Sequence, residues 1–161
     1  MEDIDEKYAR FHKNIDEWID SNKLDYGLNT TLEDAIRVGE IMHLKEEDIK
    51  KLTPLDCQVY IFTINKYMTY MGSILAREKA VKQWAEQGIW YIVTGQKHDK
   101  FAKWEEKYHA AIRNHKSGLR LLMLKTTADA RILSCESQIK GFEYAIKVLE
   151  NISRSKSYDR S

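Results

Sequence analysis

Apolar residues recur at steps built from three and four at Tyr60, Ile64, Tyr67, Met71, Ile74, Val81 and Ala85. They do so again at Ile132, Cys135, Ile139, Phe142, Ile146 and Leu149. That spacing brings each side chain back to one stripe of a helix, the seam that another helix buries. Two such stripes in one chain predict an all-α fold built on a long antiparallel helical hairpin of coiled-coil character. The only proline, Pro54, stands at the start of the first stripe. Thr53 as N-cap and proline at the first helical position make a favourable opening for a long helix. This helix is expected to run to about Gln87, with Gly88 as its stop.

Ahead of the hairpin, Ile4, Tyr8, Phe11, Ile15 and Trp18 predict a first helix from about Asp3 to Asp20. A polar break at residues 21–29, with Gly27, leads to Thr30-Thr31-Leu32-Glu33, a capping box that starts a short second helix. Leu44 to Leu52 supplies another turn or two. Residues 1–52 therefore form a small N-terminal helical region, acidic in balance. Residues 53–153 form the hairpin and an oligomerisation helix, and residues 154–161 a disordered tail. The segment Ile89 to Gly95, IWYIVTG, is strand-like by propensity but has no second strand to pair with. It reads as an apolar hairpin connection, a helical continuation, or an edge that pairs between subunits. Asp99 is expected to cap a further helix in which Phe101, Trp104, Tyr108, Ala111, Ile112, His115, Leu119 and Leu122 share the core face. That helix would run to Ile152, with a pause at Thr126-Thr127.

Charge is divided unequally along the chain. The net charge is +1, yet residues 1–56 carry 8 Lys/Arg against 15 Asp/Glu, and residues 57–161 carry 18 against 10. Within the second part, Lys97, Lys100, Lys103, Lys107, Arg113, Lys116, Arg120 and Lys125 form a candidate polyanion surface. An ordinary solvated helix exterior has the same composition. Cys57 and Cys135 lie within predicted core, which implies reduced, buried thiols and neither a zinc framework nor a disulfide scaffold. The first residues, MEDIDEKYARFHK, lack an apolar segment of signal length, and no run is long enough to span a membrane. A cytoplasmic, non-membrane protein is the expectation.

Motifs of catalysis are missing: there is no nucleophile elbow, Walker loop or dinucleotide fingerprint. Glu40 with His43, and Glu106 with His109, have the three-residue spacing of di-iron helical bundles, to which Glu17 and Glu78 could add carboxylates. Glu106 and His109 fall on the face opposite Trp104, Tyr108 and Ile112, so no metal or other cofactor is expected and the chain reads as non-enzymatic. Nucleic-acid binding asks for Lys/Arg to displace phosphate counterions and exposed rings on which single-stranded bases stack. Arg77, Lys79, Lys82, Lys97, Lys100, Lys103, Trp90 and Tyr91 supply both around the expected hairpin tip. Trp84, near the inner stripe of its helix, and Trp90, which can fill the connection, read more readily as core. The ladder Ile132, Ile139, Phe142, Ile146 and Leu149 can hold copies of the chain together, or can pack on the preceding long helix.

Two stretches carry a likeness to known proteins: LTPLDCQVYIFTINKYMTYMGSILAREKAVKQW, where aromatic residues precede a basic helical run, and LKTTADARILSCESQIKGFEYAIKVLENISRSK. In this layout the chain resembles the UvsY-like recombination mediators of T-even phages. The resemblance implies binding of single-stranded DNA through Arg77, Lys79 and Lys82, and ring assembly through Ile139, Phe142, Ile146 and Leu149. It also implies partnership with a recombinase or single-strand-binding protein, in phage recombination or repair inside the host cytoplasm. The acidic N-terminal 50 residues and IWYIVTG depart from that pattern. The alternative is a helical assembly or adaptor protein whose acidic region and apolar stripe bind other proteins.

Overall fold

The computed structural model describes residues 3–21, 32–97 and 101–158. Every regular element among them is an α-helix: α1 (Ile4–Ser21), α2 (Leu32–Met42), α3 (Glu46–Lys51), α4 (Pro54–Gly95), α5 (Trp104–Asn114) and α6 (Gly118–Tyr158). The fold is all-α, with α4 and α6 packed as a long helical hairpin and small helices before it. Two compact units are formed, Met1–Leu24 with Leu75–Leu133, and Asp25–Ile74 with Ser134–Ser161.

In the first unit the core is Ala85, Ile89 and Val93 of α4, Ala111 and Ile112 of α5, and Leu121 of α6. Contacts run antiparallel along the hairpin: Glu78 meets Arg131, Lys82 meets Asp129, and Glu86 meets Lys125. Helix α1 adds no fully buried residue. Its Phe11 stacks on Trp84 at 5.5 Å and its Tyr8 lies 5.7 Å from the same ring. In the second unit Val38 and Ile41 of α2 are buried, as are Cys57, Ile64 and Met71 of α4 and Cys135, Phe142 and Leu149 of α6. Tyr67 meets Phe142 edge-on at 5.7 Å. Lys156 fastens α6 to α3, donating to the carbonyl oxygens of Lys50 and Leu52 at 2.6 and 2.5 Å. These are carbonyls at a helix C-terminus, where a cation is electrostatically favoured.

The start of α4 is a reciprocal cap. Asp56 N donates to Thr53 Oγ1 at 3.2 Å, while Thr53 N and Thr53 Oγ1 donate to Asp56 Oδ2 at 2.8 and 2.6 Å. The orphan donors of the first turn are met by side-chain oxygens.

Four expectations change. Gly88 does not stop α4, which continues to Gly95, so IWYIVTG is the helical continuation. A Cβ on Gly88 would lie 3.0 Å from both Leu121 methyl carbons, so this glycine serves the close approach of α6. The expected pause at Thr126-Thr127 is absent, because Thr126 Oγ1 donates back to Leu122 O at 2.8 Å within continuous helix. The break falls at residues 115–117 instead, where Gly118 N donates to His115 O at 2.9 Å. A Cβ at Gly118 would collide with the Ile112 carbonyl oxygen and lie 2.7 Å from Ile112 Cα. Only glycine admits that turn. Finally, α6 runs to Tyr158, so residues 154–158 of the stretch expected to be a disordered tail are helical, held there by the Lys156 anchor, while residues 159–161 lie outside the described residues. Gly27, Thr30, Thr31, Asp99 and Lys100 lie outside the described residues, and the helix after Asp99 opens only at Trp104.

Candidate nucleic-acid interface

The basic residues proposed on α4 fall into two groups. Arg77 Nη2 lies 3.1 Å from Asp16 Oδ1 of α1, and Lys82 Nζ lies 2.7 Å from Asp129 Oδ1 of α6. The hydrogen bond from Lys82 holds the Asp129 carboxyl below its ordinary range, helped by the Lys82 and Lys125 charges against some desolvation. Two of the three cations assigned to phosphate are therefore engaged by carboxylates of this chain. Arg77 Nε, moreover, is buried without a hydrogen-bond partner. Lys79 is exposed.

The second group surrounds the connection between α4 and α5. Because the core stripe of α4 passes through Ala85, Ile89 and Val93, Glu86, Gln87, Trp90 and Tyr91 turn outward. Trp90 is 53% and Tyr91 68% exposed, their rings 5.3 Å apart and nearly perpendicular. Lys97 follows two residues beyond Gly95, and Lys103 immediately precedes Trp104; both are exposed. Trp84, by contrast, belongs to the interior with Tyr8 and Phe11.

Trp104 and Phe101 correct the core face expected for this segment. Phe101 is 93% and Trp104 54% exposed. Burial on α5 is carried by Ala111 and Ile112, and Trp104 sits in the first turn, one turn out from half-buried Tyr108. Leu119 also faces outward, since the glycine break resets the phase and hands the core position to Leu121. Trp104, Trp90, Tyr108, Ile89, Glu86 and Lys125 line an open cavity of about 250 Å³. The aromatic component is larger than the sequence predicts, with Trp104 its missed ring and Glu86 a missed acidic neighbour. The signal for the outward Trp90 was the continuation of the α4 stripe by steps of four from Ala85 to Ile89 to Val93.

The residues assigned to subunit contacts are used inside the chain. Ile132, Phe142 and Leu149 are buried, and Ile139 and Ile146 half-buried. Phe142 packs edge-on against Tyr67 of the preceding long helix, the intramolecular use that the sequence left open beside contact between copies.

Three of the four carboxylates nominated for a di-iron site have other partners: Glu106 accepts from Lys103 N at 3.2 Å, Glu78 pairs with Arg131 at 3.0 Å, and Glu17 lies 3.6 Å from Lys13 Nζ. His43 Nδ1 lies 2.7 Å from Gly39 O. Among the described residues no group of three or more His, Cys, Asp or Glu is gathered as a metal site. Cys57 and Cys135 are free and buried, and burial pushes the Cys57 thiol up. Among the described residues no helix is long and apolar enough to cross a membrane. No protein-family model, curated protein or solved structure matches the chain.

Proposed function

We propose that this chain is a non-enzymatic single-stranded-DNA-binding protein that acts through the α4–α5 connection. The observation that carries the reading is the exposure of Trp90, Tyr91 and Trp104 beside Lys97 and Lys103. Large aromatic rings held at the surface by rigid helices offer stacking platforms to unpaired bases, each worth about 1–3 kcal/mol per base. Neighbouring lysines supply the counterion-releasing contacts to phosphate. Arg77 and Lys82 become secondary, since phosphate must compete there with Asp16 and Asp129. The resemblance to UvsY-like mediators supplies recombination or repair in a phage-infected cell as the setting, with self-association and a recombinase or single-strand-binding protein as partners.

The test is fluorescence anisotropy of a labelled single-stranded oligonucleotide at low and moderate salt, with duplex DNA as competitor. Salt-sensitive binding that prefers the single strand is expected, and Lys97→Glu with Lys103→Glu should weaken it and flatten the salt slope by about 0.7 per lost contact. No binding at low salt sinks the reading.

A second reading, an adaptor that binds proteins, is favoured by the second unit. There Leu55, Val59 and Phe62 of α4 are 68%, 41% and 73% exposed at helical steps of four and three. An apolar stripe of this kind suits a partner helix. Capture of protein but not DNA would favour it.

A further inference from the structure

The cavity of about 250 Å³ in the first unit combines flat apolar walls with one acceptor and one donor. Trp90 of α4 and Trp104 and Tyr108 of α5 supply the rings, and buried Ile89 backs them. Glu86 and Lys125 supply the polar pair. Lys125 Nζ stands 3.6 Å from Glu86 Oε1 and 4.0 Å from Asp129 Oδ2. Both distances exceed a hydrogen bond, so the carboxylate oxygens and ammonium hydrogens keep capacity for a ligand. The Glu86 side chain is 45% and that of Lys125 29% exposed, which leaves both within reach from solvent. The volume lies just under the roughly 300–1,000 Å³ of sites for whole small molecules, a size suited to a single ring system.

We propose that this cavity is a slot for one guanine base, an inference that rests on the single-strand reading and gives it a specificity. Trp90 and Trp104 stack on the base, Glu86 accepts from its N1–H and 2-amino group, and Lys125 donates to O6. Guanine alone among the four DNA bases carries two adjacent N–H donors on its pairing edge, the pattern that a carboxylate accepts through both oxygens. Adenine and cytosine place an acceptor nitrogen beside their amino group, and thymine flanks its single N–H with two carbonyl oxygens. Each of those sets an electron pair against Glu86. The lysine beside the carboxylate matches the carbonyl oxygen adjacent to N1–H. Free guanine nucleotides present the same edge, so strand and nucleotide are separated by experiment.

The experiment uses the full chain and three labelled oligothymidylates that differ at one central position: guanine, inosine or thymine. Inosine lacks only the 2-amino group. The guanine strand is expected to bind roughly tenfold more tightly than the thymine strand, with inosine losing most of that gain. Glu86→Gln should erase the preference, read as the ratio of guanine-strand to thymine-strand affinity within the variant, with helicity intact because the side chain is half exposed. Trp104→Ala should weaken all three strands. Competition by dGMP but not dTMP would show that the base alone suffices; failure of dGMP against a retained guanine preference would confine recognition to strands. Equal affinity for the three strands overturns the guanine slot and spares single-strand binding. Binding of dGMP without any strand supports the slot and overturns the strand reading. Failure of every strand and of dGMP overturns both.

Discussion

Two glycines of α6 show how much a single Cβ decides. At Gly118 an added methyl would strike the Ile112 backbone, which cannot swing aside like the end of a side chain. Gly118→Ala should therefore cost about 1–3 kcal/mol, as overpacking does. At Gly141, in the middle of the same helix, nothing lies within 4 Å of the added carbon. Gly141→Ala should stabilise by up to about 1 kcal/mol through helix propensity. Urea midpoints moving in opposite directions check both. Two carboxylates carry a pH signature. Asp56 is held below its ordinary 3.8 first by the Thr53 hydroxyl and then by the Thr53 backbone, and Asp129 by Lys82. A carboxyl whose folded value is depressed stabilises the fold fully above its unfolded value, and that contribution disappears as pH falls through the folded value. The double variant Asp56→Asn with Asp129→Asn should accordingly melt below the parent at neutral pH, with the gap closing below about pH 4. A gap that persists into acid would assign the loss to packing instead.

At the level of elements, the ladders were legible because period is a local property: Ile64, Met71, Val81 and Ala85 are all buried, as are Ile132, Cys135, Phe142 and Leu149. The glycines were not legible by the same means. Gly88 reads as a stop from its neighbours, and its role appears only when Leu121, 33 positions on, comes to lie against it. Trp90 was ambiguous and Trp104 was assigned to the core face for a related reason, since residue type does not say which side of a stripe a ring takes. Lys79, Lys97 and Lys103 were correctly placed at the surface, whereas the ion pairs of Arg77 and Lys82 depend on α1 and α6. The α6 seam gives an element-scale prediction. Ile139 and Ile146 flank Phe142, which meets Tyr67 of α4. Ile139→Asp with Ile146→Asp puts carboxylates into that contact and should lower stability by about 3 kcal/mol or more. Thermal melting with gel filtration checks it; a change of size with melting temperature preserved would transfer the seam to contact between copies.

Over the whole chain, the separation of charge suggests an acidic beginning and a basic remainder that act on different partners. Within the first unit the two meet. Asp5 of α1 binds Arg120 Nε of α6 at 2.8 Å, and Asp16 of α1 binds Arg77 of α4 at 3.1 Å. Both arginines remain 41–45% exposed, so each is a cation within reach of solvent that is already matched by a carboxylate of its own chain. Exposed pairs of this kind add little to stability, about 0–1 kcal/mol, because solvent screens them. Their effect on a polyanion is larger, since a neutralised arginine releases no phosphate counterion until its carboxylate is displaced. On the single-strand proposal, helix α1 would act as an internal competitor for the strand. Asp5→Asn with Asp16→Asn should leave the melting temperature within a degree or two while raising affinity for single-stranded DNA at low salt. The salt slope should steepen by about 0.7 for each arginine that gains a phosphate. Titrations at several salt concentrations read both quantities. An unchanged slope with unchanged affinity would mean that the strand never reaches Arg77 or Arg120, and would confine contact to the aromatic end at Trp90 and Trp104.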